Sequence, residues 1–159
     1  MEKPRRCLAV VRVRGLSDVR GEINDTLKML RLNHNCHAVL IDDRSSYLGM
    51  LSKVENQVTW GEVSKDTVTM VLKKRGRTLG NKRLTDEYTK KVGYESLDEL
   101  AEAVWKLEVD YKSLPDIEPV FRLHPPRKGY RGGVKKRYNV GGSLGDRGED
   151  INTLLEKMI

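Results

Sequence analysis

Aromatic side chains are scarce in this 159-residue chain, which contains one Phe, two Trp and six Tyr. Domains that bind single-stranded RNA on a sheet stack the bases on aromatic residues of adjacent strands. The first predicted strand here has no aromatic residue, and the third has only Trp60. The sequence therefore does not support such a sheet, and any nucleic acid would be bound mainly through its backbone and shape.

Cysteine and histidine are also rare, with two Cys and three His. Cys7 and Cys36 give neither a disulfide framework nor paired metal ligands. His34, Cys36 and His37 are close in sequence, but strand alternation would point Cys36 and His37 to opposite faces of a sheet. Three histidines give no recognisable catalytic triad. The sequence therefore indicates neither a metal site nor an enzyme.

Long apolar runs are missing as well. The first run, Cys7–Val11, ends at Arg12 and is too short for a signal peptide or a membrane span. Charged residues make up 33% of the chain, which is more than an average soluble domain carries. We therefore expect a cytoplasmic protein with no membrane partner.

Positive charge is present in excess, with 30 Lys and Arg against 23 acids and a net charge of +7. Between Pro119 and Arg147, eight bases accompany the single acid Asp146. These bases are Arg122, Arg127, Lys128, Arg131, Lys135, Lys136, Arg137 and Arg147. A run of like charges such as this one usually indicates a solvated, flexible tail. Charge of one sign, rich in arginine and mixed with Tyr130 and Tyr138, favours nucleic acid instead.

A second basic stretch has six bases and no acid, namely Lys73, Lys74, Arg75, Arg77, Lys82 and Arg83. It is not a Walker phosphate loop, because only three residues separate Gly76 from Gly80 and no Ser or Thr follows Lys82. The glycines 142, 145 and 148 lack the preceding strand of a dinucleotide fingerprint. We interpret both segments as loops that approach an RNA backbone, with solvent-exposed turns as the alternative. No cofactor is expected.

Hydrophobic spacing predicts the order β-α-β-α-β. The strands are expected at 7–14, 37–42 and 58–63, and the helices at about 18–32, capped by Ser17, and from Ser45 or Ser46. Such a unit forms a small sheet with both helices on one face, leaving the other face to water, to later elements or to RNA. Helices from Ser64, Thr85 and Ser96, a strand at 120–123 and a last helix at 151–158 follow. We divide the chain into a core (1–63), a helical extension (64–118) and a basic Gly-rich extension (119–159).

Seven blocks of the sequence resemble the archaeal branch of the large-subunit ribosomal protein L-thirty family, whose eukaryotic relatives are the L-seven proteins. The blocks are Arg6–Gly15, Met29–Leu32, His37–Asp43, Tyr47–Met50, Val58–Glu62, Gly80–Thr85 and Phe121–Arg127. The resemblance as a whole extends over nearly the whole chain. The eukaryotic form carries a long basic N-terminal arm, whereas only six residues precede the first strand here, so an archaeal source is expected.

The resemblance implies an α+β fold with a small ferredoxin-like β-α-β-α-β core and a helical and basic-loop C-terminal extension. It also implies a structural, non-enzymatic constituent of the large ribosomal subunit that binds 23S rRNA and neighbouring ribosomal proteins, with a position near 5S rRNA as a secondary implication. The rRNA contacts that it suggests are Arg12, Arg14, Lys82, Arg83, Arg122, His124 and Arg127. The other basic residues named above are proposed on charge alone. An RNA chaperone or another non-ribosomal RNA-binding module is the alternative.

Overall fold

The computed structural model describes residues 5–15, 19–130 and 132–159. Its strands are β1 (Cys7–Arg12), β2 (His37–Asp42), β3 (Val58–Glu62), β4 (Arg77–Thr78), β5 (Lys82–Arg83), β6 (Ile117–Glu118), β7 (Phe121–Arg122) and β8 (Gly145–Asp146). Its α-helices are α1 (Gly21–Met29), α2 (Ser45–Lys53), α3 (Lys65–Arg75), α4 (Asp86–Lys91), α5 (Leu97–Trp105) and α6 (Ile151–Met158). The predicted cap at Ser17 lies outside the described residues.

Strand β1 is the centre of a five-stranded sheet in the order β7-β2-β1-β3-β8. It is antiparallel to both neighbours, with Leu8 opposite Ile41 on β2 and Glu62 on β3. All six residues of β1 are buried. The sheet and its helices confirm the predicted α+β class.

The two faces of the sheet contact two separate apolar cores. On one face, Leu8 and Val10 pack with Leu27, Leu51 and other residues of α1 and α2. The opposite face contributes Cys7, Ala9 and Val11, which contact buried residues of three later helices. Those residues include Val68 and Leu72 of α3, Leu100 and Val104 of α5, and Leu154 and Met158 of α6. Later elements of the chain, one of the three alternatives, therefore cover the second face.

Local capping signals agree with the observed helix starts. The Ser64 hydroxyl accepts a hydrogen bond from the Thr67 amide, and α3 ends at Gly76, as predicted. The Ser96 hydroxyl likewise accepts from the Glu99 amide at 3.4 Å. The Glu99 carboxylate accepts from the amide of Glu95 instead of that of Ser96. The capping box at α5 therefore forms in one direction only.

Four of the strands were not predicted. Strands β4, β5 and β6 form a second, three-stranded sheet in the order β5-β4-β6, and β8 pairs parallel to β3. Each of these strands has two residues. A two-residue strand has no alternation to detect, so its pairing depends on contacts distant in sequence.

Arg12 is fully buried, with 0% exposure, which corrects its assignment as an rRNA contact. Its guanidinium donates from Nη1 to the Leu32 carbonyl at 2.7 Å and from Nε to the Arg14 carbonyl at 2.9 Å. A weaker bond reaches the Gly15 carbonyl at 3.4 Å. Burial lowers the pKa of this guanidinium. Arg12 therefore joins the end of β1 to the segment after α1.

Replacing Arg12 with Met should lower the free energy of unfolding by at least about 2 kcal/mol, because buried carbonyls then lose their donors. Urea unfolding measures the change. Arg14→Met is the control, since Arg14 is half-buried and the change should cost less than about 0.5 kcal/mol. If the Arg12 variant is as stable as the parent protein but binds RNA more weakly, Arg12 is an RNA contact after all.

Gly61 of β3 is needed for close packing between the sheet and the last turn of chain before α6. A Cβ atom at this position would lie 2.0 Å from the Gly148 carbonyl oxygen and 2.9 Å from Ile151 Cβ. Gly49 in α2 is the opposite case, because a Cβ there has no neighbour within 4 Å.

Gly61→Ala should therefore destabilise the protein by about 1–3 kcal/mol through overpacking. Gly49→Ala should stabilise it by about 0.5–1 kcal/mol, since alanine loses less backbone entropy in a helix. Thermal and urea unfolding of the two variants would reveal opposite shifts. Equal shifts would contradict the packing at Gly61.

Candidate nucleic-acid interface

The C-terminal end of α3 carries Lys73, Lys74 and Arg75 in its last turn. Cations are favourable at this end of a helix because the peptide dipoles leave partial negative charge there. Lys73 Nζ lies 2.9 Å from Asp98 Oδ1, so this lysine faces α5. Lys74 is exposed and has no ion pair within the described part of the chain. The two neighbouring lysines thus have different surroundings.

The hairpin formed by β4 and β5 carries Lys82 and Arg83, both exposed. Its turn requires positive φ at Gly80 (85°) and Asn81 (59°), which glycine and asparagine adopt more readily than other residues. The Leu79 amide donates to the Asp116 carbonyl at 3.0 Å, which fixes the hairpin to the segment before β6. Over residues 5–15, 19–130 and 132–159, neither cation has an ion pair.

We call the six cations on these neighbouring segments the hairpin cluster: Lys74, Arg75, Arg77, Lys82, Arg83 and Arg122. Pairing of β4 with both β5 and β6 brings the hairpin beside the segment that leads into β7. Arg75 Nη1 donates to the Arg122 carbonyl at 3.4 Å, joining α3 to β7. Arg77 Nη1 donates to the Gly76 carbonyl at 2.9 Å and is half-buried. The cluster therefore lies on three elements that contact each other.

His124 has a positioning role in the structure. Its ring Nδ1 lies 2.6 Å from the Pro125 carbonyl oxygen and its Nε2 lies 2.8 Å from the Ile159 carbonyl oxygen. Nearby, the Arg127 amide donates to the Lys157 carbonyl at 3.0 Å, while the residue itself is exposed. The His124 ring thus holds the chain after β7 against the end of α6, and Arg127 projects next to it.

The basic loop, residues 127–147, folds back on itself. The Gly142 amide donates to the Arg137 carbonyl at 2.8 Å, and the Tyr138 amide donates to the Leu144 carbonyl at 2.7 Å. A Cβ on Gly142 would lie 2.1 Å from the Lys136 carbonyl oxygen, so only glycine fits there. Leu144 is 2% exposed. The many glycines allow this segment to form a close-packed turn. Composition alone pointed to a flexible tail instead.

The cations of the basic loop fall into two groups. Lys128, Lys135 and Lys136 are exposed. Arg137 forms an ion pair with Glu55, and Arg147 donates to the Thr59 hydroxyl at 2.8 Å and the Ser143 carbonyl at 2.7 Å. Arg137 thus attaches the loop to the turn between α2 and β3, and Arg147 attaches it to β3. Arg131 lies outside the described residues.

Helix α5 carries acidic groups that are engaged by neighbouring cations. Glu102 lies within 3.5 Å of Lys65 and 2.9 Å of Lys106, and Lys106 holds the pKa of this carboxyl below its ordinary value. Asp98 accepts Lys73, as described above. The carboxylates of this helix thus have local partners.

Among the described residues, no group of three His, Cys, Asp or Glu could hold a metal ion, and no helix is long and apolar enough to cross a bilayer. Cys36 is buried, with its Sγ 3.9 Å from the Tyr130 hydroxyl, and the rings of His34 and His37 meet edge to face at 5.2 Å.

One feature beside the hairpin was missed by sequence analysis. Lys91 at the end of α4, together with Leu79, Tyr88 and Val92, lines a cleft next to Lys82 and Arg83. The basic last turn of α4, Lys90 and Lys91, was the available signal. That signal alone could not locate the cleft, because no sequence pattern places α4 beside the hairpin.

Known proteins resemble the chain over most of its length. The family described as ribosomal protein L30p/L7e matches residues 8–58. The large ribosomal subunit protein uL30 of Methanopyrus kandleri is 52% identical over 149 residues, covering 92% of this chain and 100% of that protein. The uL30 proteins of Methanococcus maripaludis and Archaeoglobus fulgidus are 54% and 52% identical, covering 95% and 94% of this chain and 98% of each relative.

The family match covers most of β1 and continues to the start of β3, and the relatives extend the similarity across both basic segments. Identity above one half over such a share of both chains is far beyond what a common fold alone would give. The resemblance seen in the seven sequence blocks is thereby confirmed, as is the expectation of a non-enzymatic protein. The chain belongs to the archaeal branch of the L30p/L7e family of large-subunit ribosomal proteins.

Proposed function

We propose that this chain is a structural constituent of the large ribosomal subunit in the cytoplasm and that it binds 23S rRNA through the hairpin cluster and the exposed cations of the basic loop. The observation that carries the proposal is the hairpin cluster, in which Lys82 and Arg83 are exposed and lack ion pairs among the described residues. Family membership supplies the ribosomal setting. Contacts with 5S rRNA and neighbouring proteins belong to the same proposal.

Recognition would depend on phosphate contacts and on the shape of the RNA. Arginine presents a planar fork that suits phosphate oxygens, and lysine supplies a compact positive charge. The cations lie on a hairpin, on a helix end and beside the sheet, so their spacing is fixed before RNA arrives. Such preorganisation reduces the entropy lost on binding.

The contact set differs from the one suggested by sequence alone. We propose Lys74, Lys82, Arg83, Arg122, Arg127, Lys128, Lys135 and Lys136 as phosphate contacts. Arg12, His124, Arg137 and Arg147 instead hold loops in place. In this proposal the core (1–63) forms the scaffold, the helical extension (64–118) supplies three of the eight contacts, and the basic extension (119–159) supplies five.

Binding to rRNA should weaken steeply with salt. If about six phosphates are neutralised, affinity should fall roughly a thousandfold between about 50 and 200 mM salt. Replacing Lys82, Arg83, Arg122 and Arg127 with Ala should weaken binding and reduce the salt slope by up to about four. Filter binding to a 23S rRNA fragment at several salt concentrations measures both quantities.

A matched control removes four exposed lysines elsewhere, Lys28, Lys65, Lys106 and Lys112. Both variants lose the same charge and should keep nearly the parent melting temperature, because exposed charges contribute little to folding. Only the first should lose most of its affinity. Equal losses would indicate a general charge effect and would refute the proposed surface.

Co-sedimentation separates the proposal from a non-ribosomal RNA-binding module. A structural constituent should remain with the large subunit in stoichiometric amount through a salt wash that removes loosely bound factors. A chaperone or accessory protein should appear in substoichiometric amount and leave in the wash. The second result would favour the alternative.

A further inference from the structure

A cleft of about 680 Å³ lies between the β4–β5 hairpin and α4. The hairpin contributes Leu79 and Lys82 to its lining, and α4 and the residue after it contribute Tyr88 and Val92. Pro115 and the neighbouring Asp116 close one side. The Tyr88 hydroxyl donates to the Pro115 carbonyl, so the aromatic ring is fixed across the cleft.

The lining combines apolar surface with a cationic rim. Leu79, Tyr88, Val92 and Pro115 supply the apolar part. Lys82, Arg83 and Lys91 supply three positive charges, and all three are exposed without an ion pair inside the described ranges. Two acids, Glu87 and Asp116, also line the cleft, and the net charge of its side chains is therefore +1.

Leu79 is one of five exposed large apolar residues in the described part of the chain, and it lies 57% exposed at the tip of a turn. Its amide donates to the Asp116 carbonyl, and the next two residues, Gly80 and Asn81, turn the chain with positive φ. An exposed leucine beside three cations suits a ligand that has both a flat apolar part and a negative charge. A nucleotide has both, and a base out of its stack gains by covering apolar surface.

We propose that this cleft holds one unpaired nucleotide of a bound RNA, with its base against Leu79, Tyr88 and Val92 and its phosphates on Lys82, Arg83 and Lys91. The inference rests on the proposed RNA-binding function and adds a preference for a bulged or looped nucleotide next to a helix. Charge complementarity favours RNA over an apolar segment of a protein, which would leave the net positive charge of the lining without a partner. The base contact would add selectivity to a surface that otherwise reads phosphates.

The test compares fully paired hairpin RNA with hairpins of the same sequence that carry one bulged A, C, G or U. The full-length protein should bind at least one bulged RNA more tightly than the paired RNA, by about fivefold or more. Leu79→Ala should abolish this preference and leave affinity for paired RNA unchanged. Lys82→Ala with Arg83→Ala should weaken binding to every RNA.

Met29→Ala is the matched control, because Met29 is 66% exposed and lies on α1, outside the cleft. It should leave the preference intact. A photoreactive 4-thiouridine at the bulge should crosslink within residues 79–92, which reports the base position independently of affinity.

The outcomes separate the two proposals. If no RNA binds, the proposed function itself fails. If all RNAs bind equally, or if Leu79→Ala changes nothing, the nucleotide cleft is overturned while phosphate binding stands. Crosslinks that map elsewhere would also overturn the nucleotide cleft. Leu79 would then be a candidate contact for a neighbouring protein.

Discussion

The burial of β1 on both faces and along both edges is the constraint on which the rest of the structure depends. Its odd-numbered residues contact α3, α5 and α6, and its even-numbered residues contact α1 and α2. A shift in register by one residue would exchange these two sets and disrupt both cores at once. Arg12 at the end of the strand also restricts the register of β1, because only the observed register brings its guanidinium to the Leu32 carbonyl.

In this arrangement the buried apolar side chains stabilise the fold, and the charged side chains lie on the surface. The cations of the hairpin cluster extend from short strands and a helix end, and the strands and helices behind them pack into the two cores. Loops carried by a rigid scaffold can hold charges at fixed spacing without burying them. An excess of lysine and arginine therefore coexists with a well-packed interior, because the attraction to polyanions and the stability of the fold depend on different side chains.

Much of the fold could be predicted from the sequence, because long amphipathic elements carry their own period. The boundaries of β2, α3 and α6 were predicted, since apolar spacing and the caps at Ser64 and Gly76 are local signals. The site was less predictable. Arg12 bonds to a carbonyl twenty residues away, and His124 bonds to the Ile159 carbonyl. No local sequence pattern predicts such long-range contacts. The family blocks mark these residues without saying whether they face RNA or the interior.

The coverage of the sheet by α6 also has a consequence for biosynthesis. Residues of β1 are made well before those of α6, yet Ile151, Leu154 and Met158 complete the core on one face of β1. Until those late residues have been synthesised, Cys7, Ala9 and Val11 lack part of their apolar cover. Contacts between such distant parts of a chain form slowly, and exposed strands are prone to aggregate meanwhile. The core on this face of β1 therefore cannot be complete until α6 has been synthesised and has docked.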